Sequence, residues 1–129
     1  MIVQIDIDGT ITAAPECFAW LTQALRRDGH TVLIVSSRAA SPDNLAFSAE
    51  ELRAFGIVWD KLFLSPAVDD LDPHRLPPFL EPAHRLVVYK LLVAEDHRVD
   101  ILFDDCSITS ELFQRYAPDV KVFRPMRKR

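Results

Sequence analysis

A three-layer, Rossmann-like α/β fold is predicted by the way two hydrophobic periods take turns along the chain. Short apolar runs rich in β-branched and aromatic residues alternate with longer segments whose apolar residues recur every three or four positions, and prolines and glycines mark the joints. Strict strand–helix alternation requires right-handed crossovers, hence a mostly parallel sheet covered by helices on both faces. Five strand-like runs, at 2–5, 32–35, 58–64, 101–103 and 120–123, make the expected sheet five-stranded. The 129 residues suffice for one core and leave nothing for a second, so a single domain over 1–129 is expected.

Each element has its own signal. The first run, Ile2-Val3-Gln4-Ile5, passes straight into Asp6-Ile7-Asp8-Gly9-Thr10. Phe18, Leu21 and Leu25 then recur at helical spacing, and Gly29 ends that helix. The second run leads into Ser36-Ser37-Arg38. Ser41-Pro42-Asp43 supplies a cap and an early proline for a helix over 45–55, which Gly56 stops. After the third run, Pro66, Pro73, Pro77, Pro78 and Pro82 share residues 65–82 with Asp69, Asp70 and Asp72, which predicts an irregular surface loop. Leu86, Tyr89, Leu92 and Val93 mark the next helix; the fourth run ends in Asp104-Asp105; Ser107 is expected to cap a helix containing Leu112 and Phe113. Beyond the fifth run, Arg124, Arg127, Lys128 and Arg129 read as a frayed, solvated tail.

Composition narrows the classes of function. Apolar residues make up 49% and charged residues 26%, a globular balance that excludes a disordered or fibrous chain. A net charge of -4 provides no overall positive field for nucleic acid or an anionic membrane. Cys17 and Cys106 have no metal-ligand or CxxC spacing, which fits a reduced, cytoplasmic setting; no run approaches the ~20 apolar residues of a membrane span. His30, His74, His84 and His97 share no ligand spacing and are expected on the surface or in loops.

Open α/β sheets bind ligands at the carboxyl ends of their strands, where the winding reverses. Asp6 and Asp8 lie at such an end, with Gly9 letting the backbone bend so that both can serve one ligand. A carboxylate can attack phosphorus if a cation neutralises the phosphoryl oxygens and a second acid protonates the leaving oxygen. An EF-hand would need further oxygen ligands where Thr10, Ile11 and Thr12 stand. Asp104-Asp105 ends a second strand, and two adjacent acids there repel each other without a cation. Oxygen ligands suit Mg²⁺.

These features resemble the haloacid dehalogenase-like superfamily: an apolar strand ending in Asp6-x-Asp8-Gly9-Thr10, a serine closing the next strand, a lysine beyond the third strand, and a strand ending in paired acids, in that order over nearly the whole chain. The resemblance implies a Mg²⁺-dependent phosphatase with an aspartyl-phosphate intermediate. In it Asp6 is nucleophile, Asp8 acid and base, Ser36 and Lys90 stabilise the phosphoryl charge, and the ion is held by Asp6, the Asp8 backbone carbonyl and Asp105, with Asp104 in support. Ser37 competes with Ser36 for the second place, and Arg85 with Lys90 for the third.

Neither usual site for an inserted cap domain has room for one, so the expected site is open to a phosphorylated small molecule or macromolecule, or to a partner subunit acting as cap. The segment 59–66, the acidic loop, Lys90 and Phe103-Asp104-Asp105 are also similar to the 3′-phosphatase domain of polynucleotide kinases. There an arginine typically follows the paired acids; here it is Cys106, and Asp69, Asp70 and Asp72 would repel a polynucleotide, so a nucleic-acid 3′ end stands as an alternative substrate. A non-catalytic binding or regulatory domain is the other alternative.

Overall fold

The structure is a computed structural model and describes residues 1–125; Arg127, Lys128 and Arg129 of the expected tail lie outside the described residues. Five strands, β1 (Ile2–Ile5), β2 (Thr31–Ala39), β3 (Lys61–Ser65), β4 (Ile101–Phe103) and β5 (Lys121–Phe123), form one all-parallel sheet in the order β3-β2-β1-β4-β5. Helices α1 (Pro15–Arg27), α2 (Pro42–Ala54), α3 (Pro82–Arg85), α4 (Val88–His97) and α5 (Ser107–Tyr116) connect and cover it. The chain winds outward from β1 to β3, then returns to the other side of β1 for β4 and β5. The reversal therefore flanks β1, and its carboxyl end is where such a sheet binds a ligand.

Period-2 alternation divides the core between the two faces. Val3, Ile5, Val32 and Ile34 pack with Phe18 of α1 and Leu52 of α2 on one face. Leu33, Val35 and Leu102 pack with Val88, Leu91, Leu112 and Phe113 of α4 and α5 on the other. Gln4 is the polar exception on β1: its buried amide donates to the Lys90 backbone carbonyl at 3.2 Å, tying the central strand to α4.

Several expected boundaries move. β2 runs to Ala39 rather than 35, because two extra residues are accommodated in a bulge: Ser36 pairs with Leu64, but Ala39 pairs with Ser65. β3 starts at Lys61 rather than 58, and β5 at Lys121. Helix α4 begins at Val88, leaving Leu86 exposed rather than packed. Ser41 caps α2 as expected, accepting the Asn44 N–H at 3.0 Å. Ser107, by contrast, is the first residue of α5, and Cys106 precedes it without a side-chain cap. The 65–82 stretch is not wholly irregular: it holds two single 3₁₀ turns, Val68–Asp70 and Pro73–Arg75. His84 is buried rather than exposed, with Nε2 3.7 Å from a Glu111 oxygen. Among the described residues nothing amounts to a cap, and no helix is long and apolar enough to cross a membrane.

Candidate metal and phosphoryl site

Register brings the candidate residues to one level. Ile5 pairs with Ile34 on one side and Phe103 on the other, so Asp6 and Asp104 leave the sheet at one level, and Ser36, still within β2, stands one residue beyond that level. Asp6 N–H still donates to the Phe103 carbonyl at 3.0 Å, which locks β1 to β4 at the point where both become acidic. Beyond Asp6 the backbone turns through Ile7–Ile11, with Asp8 extended and Gly9 at φ +79°. A Cβ on Gly9 would run into the Asp105 carboxylate. Gly9 thus serves twice, by allowing a left-handed turn and by admitting a carboxylate against the backbone.

Asp6, Asp104 and Asp105 each offer a carboxylate oxygen, and these atoms lie within 4.8 Å of one another. Lys90 meets them from α4, its Nζ 3.1 Å from Asp6 Oδ1 and 2.7 Å from Asp104 Oδ2. Lys90 is 3% exposed; a helix lysine is ordinarily solvated, and only the two acids make this burial tolerable. Asp104 is fully buried with both oxygens engaged, the other one accepting the Cys106 N–H at 2.9 Å. The Thr10 hydroxyl joins the two strand ends: it lies 3.4 Å from Asp6 Oδ2 and 3.3 Å from Asp105 Oδ1, and accepts the Asp105 N–H at 3.0 Å.

Three carboxylates facing one ammonium leave an excess of negative charge when all are ionised. Burial above all, together with Asp104 and Asp105, pushes the Asp6 carboxyl up to about 7 against the downward pull of Lys90. For Lys90 burial acts in the depressing direction, and Asp6 with Asp104 outweighs it, so the ammonium is held above its ordinary range. A bound cation would relieve the excess, and an all-oxygen set suits a hard ion such as Mg²⁺ rather than a soft one.

Asp8 points elsewhere. Its exposed carboxylate is forked by the Arg38 guanidinium, Nε to Oδ2 at 2.9 Å and Nη2 to Oδ1 at 2.8 Å. Those hydrogen bonds hold Asp8 below its usual range against a smaller opposing effect of burial. The Asp8 carboxylate is thus not one of the three grouped acids, although Lys90 and Asp105 still act on it electrostatically. Ser36 is buried and its Oγ accepts the Arg38 N–H at 3.1 Å, whereas Ser37 is exposed. Arg85 is exposed and lies 3.9 Å from Asp69, so Lys90 rather than Arg85 meets the acids. Arg124 is not a free tail residue: its Nη2 donates to the Asp105 carbonyl at 3.3 Å.

Thr10 and Arg38 are the residues that sequence reading did not assign a role. Thr10 was visible as the last letter of its motif, but nothing in the chain marks its hydroxyl as a bridge to residue 105. Arg38 follows Ser36 by two, and only the bulge shows which way it points.

No protein-family model matches the chain, and no curated protein matches it. Solved structures do. A chain of a Pnkp1/Rnl/Hen1 complex aligns over 96% of this chain and 45% of its own length, with a TM-score of 0.64 and 15% identity. A chain of the Pnkp1/Rnl/Hen1 RNA repair complex aligns over 96% and 42%, with a TM-score of 0.62 and 16% identity. This chain spans less than half the length of either neighbour, and what it shares with them is the α/β fold.

Proposed function

We propose that the chain is a Mg²⁺-dependent phosphomonoester hydrolase that works through an aspartyl phosphate on Asp6. The observation that carries this reading is the buried Asp6 beside Asp104, Asp105 and Lys90, at the carboxyl end of the central strand where the sheet reverses its winding. Asp6 and Asp105, with the Asp8 backbone carbonyl, would hold the ion, and Asp104 would support it while fixing Lys90. When bound, Mg²⁺ supplies charge neutralisation at the phosphoryl oxygens.

The chain's own groups supply the rest. Lys90 holds Asp6 in place and adds positive charge where the phosphoryl group must sit. The Ser36 hydroxyl contacts a phosphoryl oxygen. Asp6 attacks phosphorus; the leaving oxygen departs with a proton; water then cleaves the acyl phosphate and regenerates the Asp6 carboxylate. Asp8 is the group for the proton transfers. The Arg38 fork favours its ionised form, the form that accepts a proton from water.

The likeness to chains of an RNA repair complex favours a particular substrate class, the phosphorylated end of a nucleic acid, and work within a multi-protein assembly. Arg124 is a cation against the acidic cluster, its Nη2 on the Asp105 carbonyl.

The test is Mg²⁺-dependent phosphate release from 3′-phosphorylated oligonucleotides, nucleotides and sugar phosphates. Release from oligonucleotides at more than about tenfold the kcat/KM of the small substrates supports end processing, and the reverse ranking assigns a small-molecule substrate. Silence across the panel in a folded, Mg²⁺-binding protein turns the reading to a binding domain.

A further inference from the structure

Arg38 makes more contacts with the surroundings of the site than any role proposed above requires. Its backbone N–H donates to Ser36 Oγ at 3.1 Å. Its guanidinium holds both oxygens of Asp8, and it also donates to Ser48 Oγ at 2.8 Å and to Glu51 Oε1 at 2.8 Å. Ser48 and Glu51 are three residues apart on α2, hence neighbours on one helix face, and Ser48 is fully buried. The bulge between Ser36 and Ala39 aims Arg38 across the strand ends rather than along the sheet, a frequent use of bulges next to active sites. Arg38 thus spans from a helix packed into the core to the most exposed acid of the site.

Resting on the phosphatase reading above, we infer that Arg38 is a positioning residue for the hydrolytic half of the reaction, anchored by Ser48 and Glu51 and holding Asp8 as the proton acceptor for the attacking water. A planar guanidinium binding a carboxylate through two parallel hydrogen bonds fixes both position and plane, which an ammonium cannot do. The fork uses one lone pair on each Asp8 oxygen. With the side chain 62% exposed, further lone pairs remain open to water. In the step concerned, the water oxygen forms a bond to phosphorus, the bond from phosphorus to the Asp6 carboxylate oxygen breaks, and the water proton passes to Asp8. Inorganic phosphate leaves, and Asp8 returns its proton to solvent. Formation of the acyl phosphate from an aryl ester with a good leaving group needs no proton from Asp8, so losing Arg38 affects the two halves unequally.

The experiment uses p-nitrophenyl phosphate with saturating Mg²⁺ and compares wild type with Arg38→Gln, Arg38→Lys and Glu51→Gln. For Arg38→Gln, kcat is expected to fall about 100-fold while kcat/KM, which reports acyl-phosphate formation, changes less than about threefold. A burst of nitrophenolate and an acid-stable, hydroxylamine-labile phosphoenzyme should appear. Lysine at 38 should restore only part of kcat, and Glu51→Gln, which loosens the anchor without touching Asp8, should show the same pattern more weakly. Equal loss of kcat and kcat/KM with no trapped phosphoenzyme, in variants with wild-type circular dichroism, would overturn the inference and leave the phosphatase reading standing. A wild type inactive here and on the wider panel, or one whose activity survives Asp6→Asn, overturns the phosphatase reading and this inference with it.

Discussion

Asp6 is a carboxyl group that the fold accepts at a cost. With its pKa pushed to about 7 in the folded protein against 3.8 for an ordinary aspartate, it binds its proton more tightly folded than unfolded. The folded form is therefore relatively favoured at low pH, and that advantage is lost as pH rises from about 4 to 7. Replacing Asp6 by Asn should then stabilise the metal-free protein at pH 8 by on the order of 1–3 kcal/mol, a rise of several degrees in Tm, with little effect at pH 4. A variant no more stable than wild type at pH 8 would show that Lys90 fully offsets the burial. Gly9→Ala makes the complementary case: φ +79° and the Asp105 carboxylate together should cost about 2–4 kcal/mol and weaken Mg²⁺ binding, both measurable by denaturation and titration calorimetry. Asp6, Asp8, Asp104 and Asp105 could be singled out in the sequence because each pair ends an apolar run, the first with one residue between its acids and the second with none. The roles of Arg38 and Thr10 were not, since they depend on contacts between residues 30 to 95 positions apart; Lys90 was preferred to Arg85 from its place in the motif order, but its burial between two acids came from the structure.

At the scale of elements, α2 deserves to be read as part of the site. Its fully buried Leu52 fixes the helix on the β2 face, and from there Ser48 and Glu51 reach Arg38. Leu52→Ala should cost about 2–4 kcal/mol of stability, seen as a lower urea midpoint. A loss below about 1 kcal/mol would mean that α2 is held by something other than this contact. The cap of α2 could be foreseen because Ser41-Pro42-Asp43 is a local signal. The end of β2 could not, because the bulge that extends it to Ala39 arises from pairing with Leu64 and Ser65. The start of α4 was missed for a related reason: Leu86 is apolar at the right spacing, yet the chain exposes it.

The whole molecule is an open α/β sheet that supports its site from below and does not enclose it. Alternation of periods was enough to foresee the five strands and the parallel sheet, since these depend on residue pattern; the strand order came from the structure. If the acidic cluster takes Mg²⁺, the ion should raise the Tm at pH 8 by an amount that grows with its concentration, about 2.7 kcal/mol of stabilisation at a hundredfold excess over Kd. Asp105→Asn should remove most of that increment, and an unchanged response would exclude Asp105 as a ligand. The chemistry itself is tested most directly by borohydride reduction of the protein quenched during turnover of p-nitrophenyl phosphate, followed by mass spectrometry of the N-terminal peptide. Homoserine at position 6, formed only with substrate and Mg²⁺ and absent from Asp6→Asn, is the result expected of an aspartyl phosphate. Turnover that proceeds with residue 6 unmodified, or that persists in Asp6→Asn, would contradict it.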